Sequence, residues 1–270
     1  MNLFVLRTLA CVLVAGCAPE DGSADRPPIV PDWAEEIAPN VYDLGTDVDP
    51  VTGEEVTGVM FVDDIAHQSG DATGQAKGGK RGAPPPCWAG AGGAAWLAAE
   101  DWGLDPDNAS GIADSDIQTV FATAMATWEA GAGVDIFGNY NSANTHTDVT
   151  GLDGENNVRF GDTGGSTIVA VTSSWWPTSG KPDTRHLYEW DAIFADLGPD
   201  GLAHKWFTVT GEAYYFDLEN TAAHEFGHAL GLAHPDSSCT EETMYGGLDI
   251  GETKKRDLNT GDITGVTTLY

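Results

Sequence analysis

An α+β fold is predicted for this chain by three observations. Residues 114–129 repeat apolar side chains at helical spacing, and runs such as 56–62, 158–160 and 167–172 have the composition of strands. His224 to Leu230 reads as a second helix with two histidines on one face. At 270 residues, 41% hydrophobic and 9% aromatic, the chain suits one sizeable core with tethers. Twelve Lys and Arg stand against 42 Asp and Glu, a formal charge of −30. A surface of that sign repels nucleic acid and anionic membranes, which removes polyanion binding from the function classes.

Residues 1–16 read as a signal peptide, with one Arg and an apolar run too short to span a bilayer comfortably. Val14-Ala15-Gly16-Cys17 resembles a bacterial lipobox, so Cys17 is the expected lipidation site of an exported cell-surface or outer-membrane lipoprotein. The alternative is an ordinary signal peptide and a freely secreted product. Residues 17–39, rich in Pro, Asp, Glu and Ala, are expected to form a disordered acidic tether. Residues 40–86 hold N-terminal strands, clearest in Val56 to Val62, and then a Gly/Pro-rich loop. This region is either a pro-segment or a strand pair packed on the domain that follows, the second being favoured. Lys80-Arg81 within it reads as two solvated charges, with a protease-sensitive spot as the less favoured alternative.

Asp114 to Glu129 is the clearest helix before the histidine motif. Asp114 or Ser115 can cap it, and Ile117, Val120, Phe121, Ala124, Met125 and Trp128 recur at three and four as a core face. Residues 138–156 are loop by composition. Asp153-Gly154-Glu155-Asn156-Asn157 offers oxygens to a calcium ion but does not match EF-hand spacing. Val158 to Phe160, Thr167 to Thr172 and Leu187 to Phe194 read as strands, and Asp217 to Asn220 can cap the next helix.

That helix carries His224-Glu225-Phe226-Gly227-His228-Ala229-Leu230-Gly231-Leu232-Ala233-His234. Helical residues four apart lie about 5–6 Å apart on one face, so His224 and His228 can grip one metal ion. Ala223, Phe226 and Leu230 form a second, apolar stripe that anchors the helix. Gly231 supplies the left-handed turn that ends it, and His234 arrives as a third ligand. Three neutral imidazoles leave zinc one open position for water, whose pKa the ion lowers to about 7. Glu225, turned a quarter of the way round the helix, reaches that water as a general base and acid.

At these residues the chain resembles the metzincin metallopeptidases, and the exact wording of the motif resembles the matrixin branch. The resemblance covers residues 87–270, the expected catalytic domain. It implies a metzincin-type zincin domain: a twisted mixed sheet, a long helix with a late tryptophan before it, the active-site helix, a Met-turn and a C-terminal helix. Met244 fits the Met-turn, and Tyr245 directly after it is given no ligand role. Leu258 to Tyr270 resembles the closing helix, with Asp262 in its first turn and Ile263, Val266, Leu269 and Tyr270 on its buried face. Leu187 to Phe194 resembles the edge strand above the cleft, along which an extended protein or peptide substrate would add. A second zinc on a loop, frequent in matrixins, is not carried over, because Ser173 to His186 lacks the spaced His and Asp; His67, His146, His186 and His204 are read as ordinary histidines. The resemblance implies one catalytic zinc, with calcium as a weaker expectation, and a monomer that meets membranes only through a lipid anchor.

With Cys11 removed and Cys17 lipidated, Cys87 and Cys239 remain, and in an exported protein they most simply form a disulfide. The alternative is a latency switch in which the Cys87 thiolate takes the open position of zinc. The Arg, Gly and Asp that flank such a cysteine in matrixins are missing around Pro86-Cys87-Trp88. Two functions are therefore carried forward: an exported zinc endopeptidase, and a surface binding or adhesion lipoprotein whose zinc is structural.

Overall fold

The computed structural model describes residues 27–65, 86–143, 148–165, 167–180, 185–196 and 207–270. The expected signal peptide, Cys17, the Lys80-Arg81 pair and His67, His146 and His204 lie outside the described residues.

Eight strands form one mixed sheet. Its parallel part contains β5 (Glu100–Asp105), β6 (Phe137–Tyr140), β7 (Asn157–Gly161) and β9 (Glu189–Ala195), where β4 (Ala89–Gly90) is a short separate strand. Antiparallel to β9 runs β8 (Ile168–Pro177), and beyond it come β3 (Glu55–Asp64), β2 (Val41–Val48) and β1 (Glu35–Ala38), each antiparallel to its neighbour. The order across the sheet is β1-β2-β3-β8-β9-β7-β5-β6. Two short pairs lie outside it: β10 (Phe207–Thr208) with β11 (Phe216–Asp217), and β12 (Leu232–Ala233) with β4.

Two placements differ from the sequence expectation. Leu187 to Phe194 does not give an edge strand: β9 is hydrogen-bonded by β8 on one side and β7 on the other, so no ladder position is left for a peptide. The described part of the expected tether, residues 27–39, packs, because Val30 and Ala34 are buried and β1 pairs with β2. The strand-rich segment 40–64 lies on the sheet, its β3 paired with β8 from Val56 opposite Pro177 to Asp64 opposite Ile168.

Two helices cover one face of the sheet. In α1 (Asp114–Ala132) the buried residues are Ile117, Val120, Phe121, Ala124, Met125 and Trp128, the stripe read from the sequence. Neither Asp114 nor Ser115 caps it; Ala113 occupies the cap position without a side-chain bond, and Asp114 and Asp116 place negative charge in the first turn, where the helix dipole favours it. α2 (Leu218–Ala229) is buried on nearly every side. Asp217 caps it by accepting from the Asn220 amide at 2.9 Å, and the Trp128 indole of α1 donates to Ala223 O at 2.7 Å. The aromatic rings of Phe121, Phe194, Trp190 and Phe226 fill the layer between helices and sheet. α3 (Thr260–Leu269) begins with a capping box between Asn259 and Asp262. Its buried residues are Gly261, Asp262, Gly265 and Val266, whereas Ile263 is exposed, so the small residues rather than Ile263 make the contact face. Cys87 and Cys239 are joined by a disulfide.

Candidate active site

The histidines converge because α2 and the chain reversal after it place them. His224 and His228 lie one turn apart on α2, and Gly231 takes φ +88°, a conformation costly for any other residue, which turns the chain so that His234 faces them. His234 Nε2 is 3.2 Å from Nε2 of both His224 and His228. Tetrahedral zinc with bonds of about 2.05 Å requires its nitrogen ligands about 3.3 Å apart, so the spacing fits.

The tautomers follow from the opposite ring nitrogens. His224 Nδ1 lies 2.6 Å from Thr243 O and His228 Nδ1 lies 2.9 Å from Leu232 O. A carbonyl can only accept, so each Nδ1 carries the proton and each Nε2 presents a lone pair. Burial, and then the nearby Lys255 charge, push the His224 pKa down to about 3, so this imidazole is neutral.

A fourth group meets them that the motif does not contain. Asp63, near the end of β3, places Oδ1 3.1 Å from Nε2 of His224 and of His234, and Oδ2 3.5 Å from Nε2 of His228. Its carboxyl is fully buried. A carboxylate and imidazole lone pairs pointing at one another have no proton to share; only a cation satisfies them. The donor set therefore fits a divalent metal such as zinc. The expected open fourth corner, however, is occupied by Asp63.

Glu225 lies beside this cluster. Thr172 on β8 donates to its Oε2 at 2.6 Å, while Oε1 is buried without a hydrogen-bond partner. Burial and then the Asp63 charge raise its pKa well above the usual value. Beneath the histidines, Met244 Sδ presses on Gly227, where a Cβ would overlap the sulfur. Asp262 of α3 fixes that turn by accepting from the Thr243 amide at 2.7 Å and the Met244 amide at 3.1 Å. Lys255, fully buried, donates to Tyr245 O and to Gly247 O at 2.9 Å, and burial lowers its pKa to about 8. The Tyr245 ring stands beside the Lys254 and Lys255 amines rather than in the metal cluster.

Asp63, Thr172, Lys255 and Asp262 are the site residues that motif reading missed or underused. Alternation along β3 offered the one signal: Val59 and Phe61 face the helices, and two residues on Asp63 takes the same side. Outside the histidine cluster, Asp153 meets two other acids, Glu189 and Asp191, with ligand atoms within 4.8 Å. Burial raises Glu189 to about 8 and Asp191 well above its usual value, and this trio could hold a cation. The His186 ring lies tilted against Tyr188, centroids 4.4 Å apart, and belongs to neither cluster.

Comparison with known proteins decides the family. A profile of the matrixins, peptidase family M10, matches residues 99–270. The chain belongs to the matrixin family. Matrix metalloproteinase-18 of Xenopus laevis is 24% identical to it over 294 aligned positions, covering 100% of this chain and 56% of the frog protein. Metalloendoproteinase 1-MMP of Arabidopsis thaliana is 50% identical over 54 residues, 20% of this chain and 14% of that protein. Neutrophil collagenase of Homo sapiens is 39% identical over 90 residues, 27% of this chain and 19% of the collagenase. The chain thus spans little more than half of one curated relative and under a fifth of the others. The metzincin fold of the matrixins accounts for the mixed sheet, the helix before it and the histidine-bearing α2. The matched region begins at residue 99, so Asp63 lies outside it.

Proposed function

We propose that the chain is a zinc-dependent endopeptidase acting on protein or peptide substrates. The observation that carries this reading is the convergence of three imidazole nitrogens, those of His224 and His228 buried, beside a carboxylate, Glu225, whose second oxygen is unpartnered. His224, His228 and His234 would hold zinc, which supplies a Lewis acid and a water of lowered pKa. Glu225 takes a proton from the attacking water through Oε1 and returns it to the leaving nitrogen, while Thr172 keeps Oε2 in place. An extended substrate would bind along β8, the outer strand of the matched domain, by backbone hydrogen bonds. The test is peptide cleavage by the chain freed of residues before Cys87: a chelator should abolish it and added zinc restore it. Cleavage that survives chelation removes zinc from the chemistry.

A structural metal is the second reading, and one observation favours it: with Asp63 included, four protein side chains surround the ion position, as in closed structural sites. The same variant that opens this corner, described below, separates the two.

We also propose export with lipidation at Cys17. Support comes from the lipobox-like Val14 to Cys17 and from the Cys87–Cys239 disulfide, which suits an oxidising compartment. Among the described residues no helix is long and apolar enough to cross a membrane. Mass spectrometry of the mature protein should find residue 17 first, carrying acyl mass; an unmodified N-terminus elsewhere removes the anchor.

A further inference from the structure

We propose that β3 is an inhibitor built into the chain: it fills the substrate position on β8, and Asp63 is the fourth metal ligand, so the intact protein is latent. The latency rests on the peptidase reading; the ligand role of Asp63 does not.

Four observations carry the inference. First, β8 closes the sheet of the matrixin-matched region, and its outer edge is the place where an extended peptide could add; β3 takes that edge over its whole length, antiparallel, from Val56 to Asp64. Second, β3 delivers Asp63 to all three imidazoles and stacks Phe61 on the His228 ring, with centroids 3.9 Å apart and planes 6° apart. Third, the site is closed while this strand is in place. His224, His228 and Glu225 are fully buried while β3 is in place, and a groove of about 720 Å³ remains between the β1–β3 side and the wall formed by His234, Pro235 and Tyr245 to Gly247. Fourth, the cross-link lies on the far side of the connection: Cys87 follows residues 66–85, so a cut there leaves β1–β3 without any covalent tie to the catalytic domain. Lys80-Arg81 gives a protease a site for such a cut.

The strand can occupy the cleft without being hydrolysed for a chemical reason. A carboxylate oxygen stands where the attacking water would have to be held, so the segment removes the nucleophile that would cleave it. The negative charge also satisfies the cation and the lone pairs around it, which a neutral peptide carbonyl does less well.

The experiment compares the full chain with its Asp63→Ala variant, each loaded with cobalt(II) for spectroscopy and with zinc for binding of acetohydroxamate, a small metal chelator. Metal content should stay at one ion per chain in both. The cobalt ligand-field spectrum should change on substitution. Acetohydroxamate should bind the intact chain about a hundredfold more weakly than the variant if the open form is about one molecule in a hundred. Identical spectra and equal acetohydroxamate affinities overturn the proposal. If Asp63→Ala does not fold, Asp63→Asn, which keeps the shape, must still change the cobalt spectrum; an unchanged spectrum overturns the proposal as well. Cleavage of a generic peptide should be at least about tenfold faster for Asp63→Ala, by the same population argument. A variant that binds acetohydroxamate tightly yet cleaves nothing upholds the ligand role of Asp63 and overturns the peptidase reading instead.

Discussion

Replacing Glu225 with glutamine in the Asp63→Ala background will leave zinc bound and lower kcat/KM for a peptide by about 10²–10⁴-fold, the usual worth of a positioned acid–base group. The carboxylate is set up for that role by position rather than by sequence distance. α2 holds it next to His224, Thr172 restrains one oxygen, and the other is left without a partner in a buried site. Glutamine keeps the shape and the Thr172 contact but cannot carry a proton between water and leaving nitrogen. Metal analysis and steady-state kinetics on the same sample check both halves. Activity within about threefold of the parent, with zinc still bound, would show that another group moves the proton.

The second large effect is on stability. Converting Cys87 and Cys239 together to serine should cost about 2–5 kcal/mol and lower Tm by about 5–15 °C, because the cross-link closes a loop of 152 residues. The bond ties the start of the domain to the segment between His234 and Met244. Glu242 of that segment accepts from the Gly261 amide at 2.9 Å and the Asp262 amide at 3.2 Å at the start of α3. Loosening it reaches the Met-turn, since Asp262 holds the amides of Thr243 and Met244. Denaturant unfolding of the oxidised protein and the double variant measures the difference. A loss under about 1 kcal/mol would mean that the unfolded chain gains little freedom from the missing link.

The parts of this molecule legible in its sequence are those fixed by short-range geometry. His224, Glu225 and His228 are positioned by helical periodicity, Gly231 by its φ, and the α1 core face by its three-and-four spacing. What escaped was pairing across long separations. Asp63 stands 161 residues before His224, and no local pattern says which strand will lie across α2. β9 reads as a good strand from its composition, yet its internal place depends on β7 and β8. The packing of residues 27–39 hangs on two buried residues, Val30 and Ala34, amid polar and proline-rich neighbours that dominate the composition. Lys255 looks like one of three adjacent surface cations, and only the fold shows that it alone is buried among backbone carbonyls.

The ten residues of β8 are all buried. Its outer row of amides and carbonyls is covered by β3, and the margin of the sheet moves out to β1, where Glu35 and Glu36 stand exposed. Acidic side chains at such a margin discourage strangers from docking there. Once the first sixty-odd residues depart, the bare row on β8 will accept any unfolded chain, a sister molecule included. The closed form is thus also the form safest to store at high concentration, and release of the segment trades shelf life for appetite.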